Sequence, residues 1–524
     1  MNKLNKKQVT ILLILICTLQ LILSILIGSK KNFLFFDEVF SYPAANNVES
    51  IGYEFHQNQW MDSTWFDNYM GVDAEHRFDY SIPYNNQVSD VHPPLFYLFL
   101  HTASSFVPNQ FSMWAGLFFN LVFFIISAIT LYFLGKEVFG NPVCGLLTAF
   151  LYGISYGGLN TFVYIRMYML MIMMALLHIW VYLKYFEQEK IPVKGYVFLI
   201  LTMVGGVLSQ YYFLFIAFAL GLWYGVKFIL EKKYQTLLKY LGAVVVSAAV
   251  SLLIWPSMIR HLFAGGRGKE AQGNLVTFEG YFDHLKEMIR IVNNEMFTNL
   301  LLVILAGMIL LAVLGKWKKY SVSKERLYKI SMVLFVAVVY LLLVTKLAPY
   351  QIERYVMPIY PLVYLLVVGG CVQLLTNLIP VKFATAVCVL GFGGLSAIHI
   401  LLSGVPFTYE KNENNIERFA VVEEYGDGYA FYISDNGECH EFYSSQMLRH
   451  YKAFYHVYDL STVESVKDDM QMVQGEESIV VYVSKTNDMD VVNRFVQYVF
   501  GDVNLNEENH LDEDEDWNVY LLEL

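Results

Sequence analysis

Charge is what this sequence has least of. Only 16% of its 524 residues are Asp, Glu, Lys or Arg, against about a quarter in soluble domains, while 56% are hydrophobic. Cysteine is scarce too: five residues, of which Cys17, Cys144, Cys371 and Cys388 lie in apolar stretches and only Cys439 in a polar one. That usage gives neither a disulfide framework nor metal-ligand spacing, and it removes redox chemistry from consideration. The net charge of -11 is unevenly spread, with acids gathered in one early polar segment and the C-terminal part and basic residues in short connections. No basic surface is left for nucleic acid, which is excluded as a partner. A small-x-small cleavage site is also missing before Ser29-Lys30, so the apolar run from Ile11 to Ile27 reads as an uncleaved membrane helix rather than a secretory signal.

What the chain has instead is a series of long uncharged runs. Lys3, Lys6 and Lys7 precede the first, which places the N-terminus in the cytoplasm by the positive-inside rule. Further runs near the roughly 20 residues a bilayer requires are Phe111 to Leu134, Val143 to Phe162, Met167 to Tyr185, Tyr196 to Leu208, Tyr211 to Leu230, Tyr240 to Met258, Phe297 to Leu314, Tyr328 to Leu347, Tyr355 to Thr376 and Phe383 to Ser403. The stretch Tyr196 to Leu230 is long for one helix and short for two. Two helices keep the clusters at Lys232 to Lys239 and Lys316 to Arg326 in the cytoplasm; one helix exports them, against the insertion rule. The expected fold is an α-helical polytopic membrane protein of about 11 transmembrane helices, with a transmembrane domain over residues 1–408 and an exported C-terminus.

Two polar connections fall on the exported side, at 29–94 and 261–295. The second contains Ala264-Gly265-Gly266-Arg267-Gly268-Lys269-Glu270, which lacks the Ser or Thr and the preceding strand of a phosphate-binding loop and reads as a flexible surface loop. Residues 409–524 have the composition of a soluble α/β domain. Strands are expected at Tyr429 to Ser434, His456 to Asp459, Ser478 to Ser484 and Trp517 to Leu522, and helices at Ser444 to Tyr455, Val463 to Val473 and Met489 to Phe500. The acidic run Asp512 to Asp516 reads as a solvated turn.

The first exported connection carries the chemistry. Asp37 and Glu38 stand about ten residues beyond the first membrane run, held at the headgroup layer by Phe33 to Phe36, and adjacent carboxylates near a helix C-terminus disfavour each other's ionisation. That suits a general base. His92-Pro93-Pro94 opens the short apolar segment Leu95 to Val107, placing His92 just ahead of a helix N-terminus, where an anion is favoured. Arg166 and Arg354 fall at exported span ends, and a permanently charged, forked donor suits a phosphate.

Phe36-Asp37-Glu38-x-x-Ser41-Tyr42, Asp90-x-His92-Pro93-Pro94-Leu95-x-Tyr97, Arg166-Met167-Tyr168 and Arg354-Tyr355-x-x-Pro358, in that order, resemble the bacterial integral-membrane glycosyltransferases of the GT-C superfamily, in the branch of protein O-mannosyltransferases and aminoarabinose transferases. The resemblance implies transfer of a sugar from a polyprenyl-phosphate donor to an exported glycan, lipid or protein. It implies Asp37 as the catalytic base, with Glu38, Asp90, His92, Arg166, Tyr168, Arg354 and Tyr355 binding substrate. Tyr164 stands where many such sequences carry a glutamate, and His92 where the aminoarabinose transferases carry a lysine. One base suffices, because a phosphate leaves without an acid to protonate it, and no cofactor is required, although Asp37, Glu38 and Asp90 are a set able to bind a divalent metal. The rival from another class is a transporter or flippase of lipid-linked glycans, which would place charges near the membrane midplane and show repeated halves.

Overall fold

The computed structural model describes residues 5–52, 58–317, 322–434, 445–457, 459–461, 463–513 and 517–524. The chain divides into two compact units, one of Met1–Ser29, Gln87–Phe99 and Gly116–Val405 and one of Lys30–Asn86, Leu100–Ala115 and Pro406–Leu524.

The first unit is the membrane part. Among the described residues it holds 8 helices long and apolar enough to cross a bilayer, or up to 10 if two bent pairs each count as one span. These coincide with the expected runs except at Tyr196 to Leu208, where the helix Val193–Ser209 has 17 residues and stands among the shorter apolar helices. The bends have local causes. Pro142–Gly153 and Tyr156–Val163 meet at 55°, where Ser155 caps the second helix by accepting from the Gly158 amide at 3.1 Å. Gly158 must lack a side chain there, because a Cβ would lie 2.4 Å from the Tyr152 carbonyl oxygen.

The connection 261–295 is not the flexible loop its glycines suggested. It folds as Met258–Phe263, Gly266–Val276 and Tyr281–Phe297. Arg267 reaches Glu270 at 2.7 Å, one turn on, so the residues that faintly matched a phosphate loop stabilise a helix instead.

The second unit is built on a six-stranded sheet in the order β1-β3-β2-β4-β6-β5, with β1 Trp60–Met61, β2 Tyr429–Ile433, β3 Ala453–Val457, β4 Ser478–Ser484, β5 His510–Glu513 and β6 Trp517–Glu523. β2 runs parallel to β3 and β4, and the remaining pairs are antiparallel. All five residues of β2 and of β3 are buried, as expected for parallel strands covered on both faces. The helix Met489–Phe500 covers one face with Val492, Phe495, Val496 and Val499, a spacing that sets them on one stripe.

Three features differ from expectation. β3 begins at Ala453, inside the segment expected to be helical, because register with β2 pairs Ala453 with Tyr429 and Val457 with Ile433. β5 takes Asp512 and Glu513 out of the expected acidic turn, and Asp514 to Asp516 lie outside the described residues. The expected division at Tyr409 also gives way. Trp60 and Met61, from the first polar connection, pair with Tyr455 and Phe454, and the Trp60 ring packs edge-on against Tyr429 and Tyr455 at 5.3 Å each. Gln446 closes the same unit by exchanging hydrogen bonds with both the amide and the carbonyl of Leu34, at 2.8 and 3.1 Å.

Candidate active site

In the membrane unit the site grows from a break between helices. Tyr156–Val163 ends, Tyr164 turns extended, and a new helix starts at Tyr168, so Arg166 sits in a two-helix gap. Carbonyls stranded by such an ending need partners. Asn120 supplies them, donating to Phe162 and Tyr164 at 3.1 and 2.8 Å. The Arg166 amide also returns to the Tyr164 carbonyl at 2.8 Å, and the Tyr164 and Tyr168 rings stack at 5.9 Å.

Arg166 is 6% exposed. Its guanidinium donates to the Tyr97 hydroxyl at 3.3 Å, and a second nitrogen lies 3.3 Å from His92 Nε2. On its other side, His92 Nδ1 meets Asp90 Oδ2 at 2.7 Å. Burial alone would raise the Asp90 carboxyl, but the hydrogen-bonded His92 ring and the Arg166 charge outweigh it and hold the carboxyl well below the usual carboxylate range. Burial pushes the Tyr97 phenol up, with Arg166 opposing only in part, so Tyr97 keeps its proton.

The turn that carries Asp90 and His92 is braced from behind by residues to which the sequence assigned no role. Trp255 Nε1 donates to the Tyr211 hydroxyl at 2.9 Å, which meets His261 Nδ1 at 3.0 Å, and His261 Nε2 reaches the Val88 carbonyl at 3.3 Å. A carbonyl only accepts, so Nε2 carries the hydrogen and Nδ1 takes the one from Tyr211. Tyr97 stands within the His-Pro-Pro motif and was legible there. His261 lies 169 positions beyond His92 with no spacing that ties the two.

Arg354 lies in the short helix Glu353–Val356, its guanidinium carbon 5.2 Å from the Tyr355 ring centre. Tyr355 meets the Tyr212 ring edge-on at 5.4 Å, and its carbonyl accepts from the Tyr340 hydroxyl at 3.0 Å. Tyr168 is within electrostatic reach of both Arg166 and Tyr355. His92, Arg166, Tyr168, Tyr355 and Arg354 therefore form one neighbourhood of the membrane unit, lined by phenols and bearing two guanidinium groups.

Asp37 and Glu38 belong to the other unit. They lie in the first turn of the helix Phe36–Asn46, not beside a helix C-terminus as their distance from the first membrane run suggested. Backbone donors and the dipole there favour negative charge. The two carboxylates also separate in role. Glu38 is fully buried and bound by Lys31 at 2.9 Å and by the Phe35 amide at 2.6 Å. Lys31 donates as well to the Phe407 carbonyl at 2.5 Å. Burial pushes the Lys31 ammonium down, and Glu38 opposes that shift. Asp37, on the same turn, is half-buried. Among the described residues no three His, Cys, Asp or Glu side chains gather as a metal set.

Residues 91–255 match the model of the dolichyl-phosphate-mannose-protein mannosyltransferase family. No curated protein matches the sequence. The crystal structure of ArnT from Cupriavidus metallidurans in the apo state is similar over 98% of this chain and 97% of that one, with a TM-score of 0.51 and 8% identity. The chain has an ArnT-like GT-C fold. The same ArnT bound to undecaprenyl phosphate is similar over 99% and 98% of the two chains, with a TM-score of 0.49 and 8% identity. Within this GT-C fold, His92, Tyr97, Arg166 and Tyr168 all lie inside the segment that matches the family, and Asp90 immediately precedes it.

Proposed function

We propose that the protein transfers a sugar from a polyprenyl-phosphate-linked donor to a hydroxyl or amine of an exported glycan, lipid or protein, with inversion at the anomeric carbon. The reading is carried by the hydrogen-bonded set of His92, Tyr97 and Arg166 inside a segment that matches a family named for a polyprenyl-phosphate sugar donor. The acceptor oxygen or nitrogen bonds to the anomeric carbon as the bond from that carbon to the phosphate oxygen breaks. The electron pair leaves with the polyprenyl phosphate, and Asp37 takes the acceptor proton. Arg166 and Arg354 offset the charge that grows on the leaving phosphate. His92 and Asp90 fix the direction of Arg166, and Tyr168 and Tyr355 line the path of the sugar. The step requires no metal. The N-terminus is cytoplasmic and the unit carrying Asp37 is exported.

The test is to incubate the purified protein with a panel of polyprenyl-phosphate sugars and to follow free polyprenyl phosphate and glycosylated acceptor. Release of the lipid phosphate with one or more donors is the expected result. Movement of intact donor across a vesicle membrane without any release would point to the flippase instead.

A further inference from the structure

At the opposite end of the membrane helices from Arg354 is a cavity of about 1340 Å³. Tyr360–Leu378 starts a few residues after Arg354 and carries Asn377 near its last turn, so at 1.5 Å per residue about 25 Å of helix separates the cavity from the arginine site. The cavity exceeds the roughly 300–1,000 Å³ of a usual small-molecule site, and its lining is sharply divided.

One side is polar and carries two cations. Arg326, Lys382, Asn377 and Gln373 line it. The Gln373 amide donates to Asn377 Oδ1 at 3.2 Å, which leaves Asn377 to present its NH2, and that nitrogen is buried with no hydrogen-bond partner among the described residues. Arg326 lies flat on the turn between two membrane helices: a Cβ on Gly140, whose φ is +62°, would fall 3.1 Å from the guanidinium Nε. The other side is hydrocarbon. Leu12, Leu15 and Leu19 of the first membrane helix face Leu146, Leu147 and Phe150 across it, and Leu12, Leu15 and Leu19 are 38%, 52% and 52% exposed on the protein.

We propose that this cavity binds one anionic phospholipid, taken from the leaflet at the N-terminal end of the Lys6–Gly28 helix. Its phosphate meets Arg326, Lys382 and the Asn377 NH2, and an acyl chain lies along Leu12, Leu15 and Leu19. The two cationic side chains and the Asn377 NH2 select an anion, since an unpaired buried amide donor costs free energy that a phosphate oxygen recovers. The apolar wall selects a lipid over a free anion. A bound lipid seals the seam between the first membrane helix and Pro142–Gly153. The site is independent of the proposed reaction.

The experiment uses the full chain in a neutral detergent and follows the unfolding temperature while phosphatidylglycerol, phosphatidylcholine or inorganic phosphate is added, because a ligand that binds only the folded state raises that temperature with its concentration. Phosphatidylglycerol is expected to raise it, and the other two to leave it unchanged. Arg326→Ala/Lys382→Ala should weaken the phosphatidylglycerol response at least tenfold in concentration, whereas Arg326→Lys/Lys382→Arg should keep most of it. Should the alanine pair fail to fold, Asn377→Leu, which keeps both charges, is expected to weaken the same response several-fold. Equal responses to the two lipids, a response to phosphate alone, or full phosphatidylglycerol sensitivity in the alanine pair or in Asn377→Leu would overturn the proposal.

Discussion

His92 Nε2 lies 3.3 Å from a guanidinium nitrogen of Arg166, while Nδ1 of the same ring lies 2.7 Å from Asp90. A guanidinium only donates, so the ring turns a lone pair toward Arg166 and a hydrogen toward Asp90. In the proposed reaction this makes His92 a positioning residue for the arginine, where its place before a helix suggests direct contact with phosphate.

A side chain that only accepts from Arg166 should be replaceable by another acceptor. His92→Gln, whose amide oxygen can take the same hydrogen, is expected to retain most of the catalytic efficiency toward the lipid donor. His92→Ala should lose at least about tenfold, the scale of a hydrogen bond to a charged group at about 1.5 to 3 kcal/mol. The loss should appear mainly in donor KM. Equal losses in the two variants would remove the positioning role.

Asp37 and Glu38 are neighbours in sequence and should fail in different ways. Asp37→Asn is expected to fold normally and to lose about two to four orders of magnitude in turnover, the range for loss of a general base. Glu38→Gln leaves the buried Lys31 without its counter-charge, which typically costs about 3 to 5 kcal/mol of stability. Lys31→Met/Glu38→Leu should recover most of that loss. Thermal unfolding and single-turnover rates on the same preparations separate the two effects, and a stable, fully active Asp37→Asn would end its assignment as base.

Asp90 ties stability to pH. Its folded carboxyl is held below the unfolded value of about 3.9, so its stabilising contribution is complete above that value and is lost as the pH falls through the folded one. The difference in unfolding temperature between the native protein and Asp90→Asn should be constant above about pH 5 and shrink below about pH 4. A difference that grows on acidification would contradict a carboxylate held in its charged form.

The membrane helices were legible because spanning a bilayer leaves a signal in every residue: Phe213–Leu230 and Glu353–Leu378 lie where the uncharged runs put them. The parallel core of the second unit was legible for the same reason, since β2 and β4 are continuous apolar runs. What escaped depends on distant partners. Nothing near Trp60 signals that it pairs with Tyr455, and the helical pattern from Ser444 to Tyr455 was outvoted at Ala453 by pairing with β2. In the site, Arg166 and His92 stood out as ionisable residues at the ends of apolar runs. The engagement of Glu38 by Lys31 did not, because the two close an ion pair through a helix start placed where a helix end was expected. His261 joined the site only through folding.

The most direct test of the account is a double-mutant cycle on the two arginines, Arg166→Lys and Arg354→Lys, read as catalytic efficiency at limiting lipid donor. Lysine keeps the charge and gives up the forked geometry, so each single change should cost roughly tenfold if the guanidinium grips the phosphate at about 1.5 kcal/mol or more. If both grip the same phosphate, the double variant should fall short of the summed losses by about 0.5 kcal/mol or more. Losses that add to within about 0.3 kcal/mol, or single variants with unchanged donor dependence, would mean that the two arginines do not share an anion and that the donor phosphate binds elsewhere.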